Sequence, residues 1–165
     1  MSLRNKEVVL AGGAGGLGSA LASLLLAEGA RVILSHRGAD VPGSSILQAD
    51  LSHARDRARL LDAAPALYGL VVLVGDPARV SNSADMEAAM LRSHQSNYFG
   101  PILLAREAAE RMKAASTPGA VVLVSTMQAN ALFPGSTAYA AQKAALQHAA
   151  RILAKECRGP GEHPG

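Results

Sequence analysis

The sequence predicts an α/β domain in which helices cover a mainly parallel sheet. Three observations carry this. Short apolar segments alternate with helical stretches along the 165 residues, the pattern of strand–helix–strand units. The strand candidates are apolar on nearly every residue, as in sheets buried on both faces. Alanine occurs 33 times and aromatic residues only five times. Alanine favours helix and is poor in strands, so an all-β sandwich is disfavoured.

Taken in order, residues 8–11 form an apolar, β-branched run that stops at glycine, the first strand. Residues 12–18 are a glycine-rich turn. Leu21, Ala22, Leu24 and Leu25 fall at helical spacing within 19–28, and Gly29 stops that helix like a C-terminal cap. Residues 31–34 read as a second strand, 46–49 as a third and 53–63 as the helix after it. The run 70–74, with no polar residue, is a fourth strand. Residues 84–115 are helical in composition despite Pro101, 120–124 are a fifth strand, and 139–156 are a second long helix ended by Arg158-Gly159-Pro160. No repeat or linker divides the chain, so 1–165 reads as one domain, with 159–165 a loop or frayed end.

Composition excludes several classes. The net charge of +3, with 49% hydrophobic and 18% charged residues, does not suit a disordered segment. Cys157 is the lone cysteine, which rules out an internal disulfide and a cysteine-rich metal site and fits a cytoplasmic protein. The densest basic group, Arg55, Arg57 and Arg59, is diluted by Asp56 and Asp62. It reads as a solvated helix face, so no nucleic-acid partner is expected. Apolar runs such as 24–27 and 71–74 fall far short of the ~20 residues of a membrane span, and the N-terminus reaches glycine too soon for a signal-peptide core.

The glycine turn carries the first chemistry. Glycines between a strand and a helix let a pyrophosphate approach the main chain, and the helix N-terminus directs N–H groups and partial positive charge at it. Gly12, Gly16 and Gly18, with Leu17 between the last two, fit one spacing; Gly13, Gly15 and Gly18 fit another. The placement makes the domain a Rossmann-like, doubly wound unit with expected strand order 3-2-1-4-5. About 20 residues beyond the loop, an acidic side chain holds a free ribose 2′-hydroxyl in such units. Here the positions are His36 and Arg37, and a guanidinium suits a 2′-phosphate, so NADP is expected over NAD. Asp50-Leu51 follows the third strand, where an adenine lies in such a unit; an Asp capping the next helix fits equally.

Tyr139 and Lys143 are four apart on one helix and share a face. A neighbouring ammonium stabilises phenolate and makes the phenol a usable proton donor near neutral pH. Ser125 and Thr126 end the fifth strand, at the edge where open α/β sheets bind ligands. Pro101 has no N–H, so the carbonyl of Asn97 loses its helical partner. Carbonyl and amide together would hold a water at a helix kink; a helix starting afresh at Gly100-Pro101 fits the same residues.

In combination these residues resemble the short-chain dehydrogenase/reductase family: Gly12-x-x-x-Gly16-x-Gly18, Asp50-Leu51, Asn97, Ser125-Thr126 and Tyr139-x-x-x-Lys143 followed by Ala144-Ala145-Leu146. The likeness runs from about Lys6 to Cys157. It implies an NADP(H)-dependent oxidoreductase that interconverts an alcohol and a ketone or aldehyde. Tyr139 would be the acid/base, and Lys143 would hold the nicotinamide ribose and lower the phenol's pKa. Thr126, thirteen residues before Tyr139, would orient the substrate carbonyl, and Asn97 would hold a relay water. The chain departs from the family at Ala11, where a threonine is usual, at the segment Val74-Gly75-Asp76-Pro77, which replaces Asn-Asn-Ala-Gly, and at Thr126, which stands for a serine.

The resemblance also implies a further strand, a substrate-covering helical segment and a last strand beyond position 165, so a truncated chain is expected. A catalytically silent nucleotide-binding or interaction module is the alternative on that ground. A nucleotide-sugar epimerase or dehydratase, which shares Tyr-x-x-x-Lys, fits the glycine spacing less well. The two long helices carry more apolar side chains than one sheet face covers. Ile102, Leu103, Leu104, Met112, Leu146 and Ile152 are the expected contacts of a homodimer or homotetramer.

Overall fold

The computed structural model describes residues 2–36, 46–80 and 82–157. Five strands, β1 (Glu7–Ala11), β2 (Arg31–His36), β3 (Ile46–Gln48), β4 (Leu67–Val72) and β5 (Ala120–Leu123), form one sheet in the order β3-β2-β1-β4-β5. Every pairing is parallel. The chain winds outward from β1 to β3, then returns across the sheet to β4. The β1–β4 junction is thus the switch point at which open α/β sheets present a crevice.

The helices are α1 (Gly16–Ala27), α2 (Ala54–Asp62), α3 (Met86–His94), α4 (Gly100–Ala114) and α5 (Thr137–Glu156). Strand alternation splits the core in two. Val8 and Leu10 of β1 pack with Ala22 of α1, Ala30 and the half-buried Leu21, Leu25 and Val32. Val9, Ala11, Leu70 and Val72 pack on the other face with Leu60 and Leu61 of α2 and Leu104, Ala108 and Met112 of α4. Each fully buried leucine contributes about 1.5–3 kcal/mol from burial, and these side chains lock α2 and α4 onto the sheet below the crevice.

Several expectations need correction. β4 begins at Leu67, three residues before the apolar run, because Gly69 and Leu67 still pair with β1. β5 is apolar but not buried on both faces: Val121 and Leu123 pack on the α4 side, whereas Ala120 and Val122 are exposed, Val122 by 49%. β5 is an end strand, and no described element covers that side. Arg57 is not on a solvated face. It is buried, and its Nε donates to Glu107 Oε1 at 3.0 Å and its Nη1 to the Leu51 carbonyl at 2.8 Å, joining α2 to α4. Of the expected association residues, Leu104, Met112 and Leu146 lie in the interior; Ile102 and Leu103 are half-buried and Ile152 is exposed.

The 84–115 segment neither restarts at Gly100 nor leaves the helical region at Pro101. A π-turn, Gln95–Phe99, joins α3 to α4, with the Gly100 N–H donating to the Gln95 carbonyl. The wider turn shifts the hydrogen-bond register just ahead of the proline, so the helix passes it without interruption.

Candidate active site

The site begins at the glycine turn. Gly12 has φ +83°, and a Cβ there would lie 2.9 Å from the Val74 nitrogen. A Cβ on Gly18 would lie 2.4 Å from the Gly13 carbonyl oxygen. These two glycines are required by the fold itself. Gly15 and Gly16 differ: nothing lies within 4 Å of a Cβ built on either. Gly15 is the N-cap of α1, and no side chain caps that helix. The turn therefore combines open space with a helix N-terminus, the donor set an anionic diphosphate requires. Leu17, between Gly16 and Gly18, is 65% exposed.

His36 ends β2 at the same edge. It is buried, and among the described residues its Nε2 has no hydrogen-bond partner. A buried polar atom without a partner costs free energy unless a ligand supplies one, so this orphan nitrogen fits a nucleotide in the crevice. Arg37, on which the NADP expectation rests, lies outside the described residues. Asp50 takes the local role: its Oδ1 accepts from the Ser52 N–H at 2.9 Å and from Ser52 Oγ at 2.8 Å, organising the turn into α2. The Leu51 side chain packs in the core, against α4 at Gly100.

Across the switch point, Lys143, Ser125, Thr126 and Asn97 are already bonded. Lys143 is buried on α5. Its Nζ donates to the Val74 and Val124 carbonyls, both at 3.0 Å, so it ties together the segments that leave β4 and β5. Burial lowers its pKa to about 8. Tyr139 lies one turn earlier, half-buried. The Ser125 hydroxyl donates to the Lys143 main-chain carbonyl at 3.3 Å and so faces α5. Thr126 Oγ1 accepts from the Gln128 N–H at 3.3 Å and caps a short 3₁₀ turn, Met127–Ala129. That arrangement leaves the threonine proton free to be donated.

Asn97 is fully buried at the π-turn. Its Oδ1 accepts from the Asp76 N–H at 2.9 Å, and its Nδ2 donates to the Asp76 carbonyl at 2.8 Å and to Ser93 Oγ at 2.9 Å. Both amide N–H groups are therefore committed, to the loop after β4 and to α3. Ser93 Oγ in turn donates to the Ala138 carbonyl at 2.7 Å, next to Tyr139. Asp76 also accepts from Arg92 Nε at 2.8 Å and from the Ala78 N–H at 3.0 Å. The unusual segment Val74-Gly75-Asp76-Pro77 thus docks on α3 and the π-turn through main chain and carboxylate together. Near Ala11 the glycine turn is closed by main-chain bonds alone, Gly12 N–H to the Ser35 carbonyl at 2.9 Å and Leu73 N–H to the Ala11 carbonyl at 2.7 Å.

Sequence reasoning did not pick out Ser93, Gln128 or Ser136. Ser93 stands four before Asn97, a polar pair on one helix face, which was a readable signal. Ser136 donates to Gln128 Oε1 at 2.7 Å, a contact no local pattern announces. Among the described residues no group of three or more His, Cys, Asp or Glu side chains is placed to hold a metal ion, and no helix is long and apolar enough to cross a membrane.

With this geometry in view, the chain compares as follows. The sequence profile of the family described as short chain dehydrogenase matches residues 6–161. The NADPH-dependent aldehyde reductase-like protein, chloroplastic, of Arabidopsis thaliana is 27% identical over 190 residues, covering 98% of this chain and 70% of the relative. The NADPH-dependent aldehyde reductase 2, chloroplastic, of the same plant is 28% identical, covering 96% and 69%. A solved short chain dehydrogenase/reductase family protein superposes with a TM-score of 0.84 at 32% identity, covering 94% of this chain and 70% of that one. The chain belongs to the short-chain dehydrogenase family of NAD(P)-dependent oxidoreductases.

Proposed function

We propose that this short-chain dehydrogenase/reductase chain interconverts an alcohol and a ketone or aldehyde, with NADP(H) preferred over NAD(H), and that Tyr139 is its acid/base. The observation that carries the reading is Lys143, buried one turn from Tyr139 and bonded to both segments that leave β4 and β5. A lysine ammonium has three N–H donors. Two are used by Val74 and Val124, and the third is left for a ligand hydroxyl in the crevice. With its pKa at about 8, Lys143 is still mainly cationic at neutral pH and favours phenolate on the neighbouring tyrosine.

In the reducing direction the nicotinamide supplies the hydride. Thr126 donates its hydroxyl proton to the substrate carbonyl oxygen and fixes its position. Tyr139 gives its phenolic proton to that oxygen as the carbon accepts the hydride, and takes it back in the oxidising direction. Ser125 is a positioning residue, since its hydroxyl is directed to the α5 main chain. The Gly15–Gly16 opening and the N–H groups of α1 would hold the diphosphate. His36 and Asp50 would serve the adenosine end, Arg37 is assigned to the 2′-phosphate from the sequence alone, and the names of the two Arabidopsis relatives agree with the NADP preference. Ile102, Leu103 and Ile152 offer an apolar surface for homodimer or homotetramer contact, and the lone Cys157 fits a reducing, cytoplasmic setting.

The test uses the full-length protein. Tyr139→Phe removes the proton donor alone, so carbonyl reduction is lost while NADPH still binds in a fluorescence titration. A variant that keeps turnover ends the assignment of Tyr139. Equal wild-type affinities for NADPH and NADH, or an Arg37→Ala change without selective loss of NADPH, end the cofactor preference.

A further inference from the structure

Gln128 lies between the two residues assigned to the carbonyl oxygen. Its main-chain N–H donates to Thr126 Oγ1 at 3.3 Å. Its side-chain Oε1 accepts from Ser136 Oγ at 2.7 Å. Ser136 is buried, is the N-cap of α5 and precedes Tyr139 by three positions, a spacing that places two residues on one helix face. Gln128 is thereby tied through its main chain to the Thr126 hydroxyl and through its side-chain amide to the turn that carries the phenol. Ordering a glutamine side chain costs rotamer entropy, yet here a buried hydroxyl is dedicated to it. With Oε1 engaged, Nε2 retains two N–H donors, and no described residue accepts from them.

We infer that Gln128 is a specificity-determining residue whose amide N–H groups bind a second substrate oxygen on the carbon beside the reacting carbonyl. The substrate class is then an α-oxygenated aldehyde or ketone, or a vicinal diol in the oxidising direction. This rests on the oxidoreductase reading above and deepens it. Gln128 transfers nothing; it discriminates through hydrogen bonds that a plain aliphatic carbonyl leaves unmade.

The test compares glyceraldehyde with propanal, a pair that differs in its hydroxyl groups, using NADPH and the full-length protein. In the wild type kcat/KM for glyceraldehyde exceeds that for propanal by about tenfold or more. Gln128→Ala collapses this ratio toward one, chiefly through KM for glyceraldehyde. Gln128→Glu, which keeps the length but replaces donors with an acceptor, does the same, so the result does not depend on a single variant folding. Ser136→Ala, which releases the amide, lowers the ratio less.

A wild-type ratio near one overturns the inference. So does an equal loss on both aldehydes in the Gln128 variants, which marks a structural role. If the wild type binds NADPH and turns over neither aldehyde, the oxygenated-substrate class falls and the nucleotide reading stands. If NADPH does not bind either, the reading beneath it falls as well.

Discussion

The two halves of the crevice are built on opposite principles. On the β1–α1–β2 side the features that matter are unfilled: open space at Gly15 and Gly16, a helix without a side-chain cap, and a His36 nitrogen with no partner among the described residues. On the β4–β5–α5 side nearly everything is already bonded. Lys143 holds two carbonyls, Asn97 holds Asp76 and Ser93, Ser93 holds Ala138, and Ser136 holds Gln128. The first half is completed by a ligand. The second is set before any ligand arrives, as positions for proton transfer must be, because small displacements there cost rate steeply. Changes in the first half should therefore alter affinity, and changes in the second should alter turnover or stability.

The largest expected effect breaks the pair at its chemistry. Tyr139→Phe should lower turnover by about 10²–10⁴-fold, the range for removal of a general acid, with NADPH affinity within twofold of wild type. Steady-state kinetics and a binding titration read the two separately. A matching drop in affinity would show that the halves are not independent.

Next are two glycines of the same turn. Gly18→Ala places a Cβ against main chain 2.4 Å away and should destabilise the fold by about 1–3 kcal/mol or more, as overpacking does. Gly16→Ala meets nothing; on the first turn of α1 it should leave the melting temperature unchanged or raised, while weakening nucleotide binding. Thermal melts with and without NADPH decide. Equal destabilisation by both would remove the distinction between a glycine the fold needs and one that leaves room for a ligand.

Much of this was readable before any coordinates. Strand order, the glycine turn, Tyr139 and Lys143 follow from local patterns: apolar runs, a turn between strand and helix, and a four-residue spacing. What escaped depended on distant partners. Arg57 looks solvated on its own helix, and only Glu107, on α4, explains its burial. Val122 sits in an apolar run indistinguishable from Leu70's, yet one strand is central and the other terminal. The Asn97 amide pairs with Asp76, from the segment that departs most from the family, a contact no local pattern announces.

Ser93 tests the bonded half at a point away from the reacting atoms. Its hydroxyl is fully buried between Asn97 Nδ2 and the Ala138 carbonyl. Ser93→Ala leaves both without that partner and should cost about 1–3 kcal/mol in denaturant unfolding. Through the loosened α5 turn it should also lower kcat more than it raises the Kd for NADPH. A variant with wild-type stability and kcat would show that Ser93 holds nothing that matters.

The smallest effect concerns the displaced titration of Lys143. Burial lowers the Lys143 pKa to about 8, from 10.5 for the unperturbed side chain. Below pH 8 both folded and unfolded chains carry the charge, and the fold bears its full desolvation cost. Between 8 and 10.5 the unfolded chain binds more protons, so the lysine's contribution becomes less unfavourable as pH rises. Relative to Lys143→Met, which has no such titration, the wild type should gain about 1 kcal/mol in stability between pH 7 and pH 9. Carbonyl reduction should move the other way over the same range, because the neutral amine no longer favours the phenolate of Tyr139. One proton then separates a more stable protein from a more active one. If stability relative to Lys143→Met is flat, or activity rises together with it, the buried ammonium is not what couples α5 to the crevice.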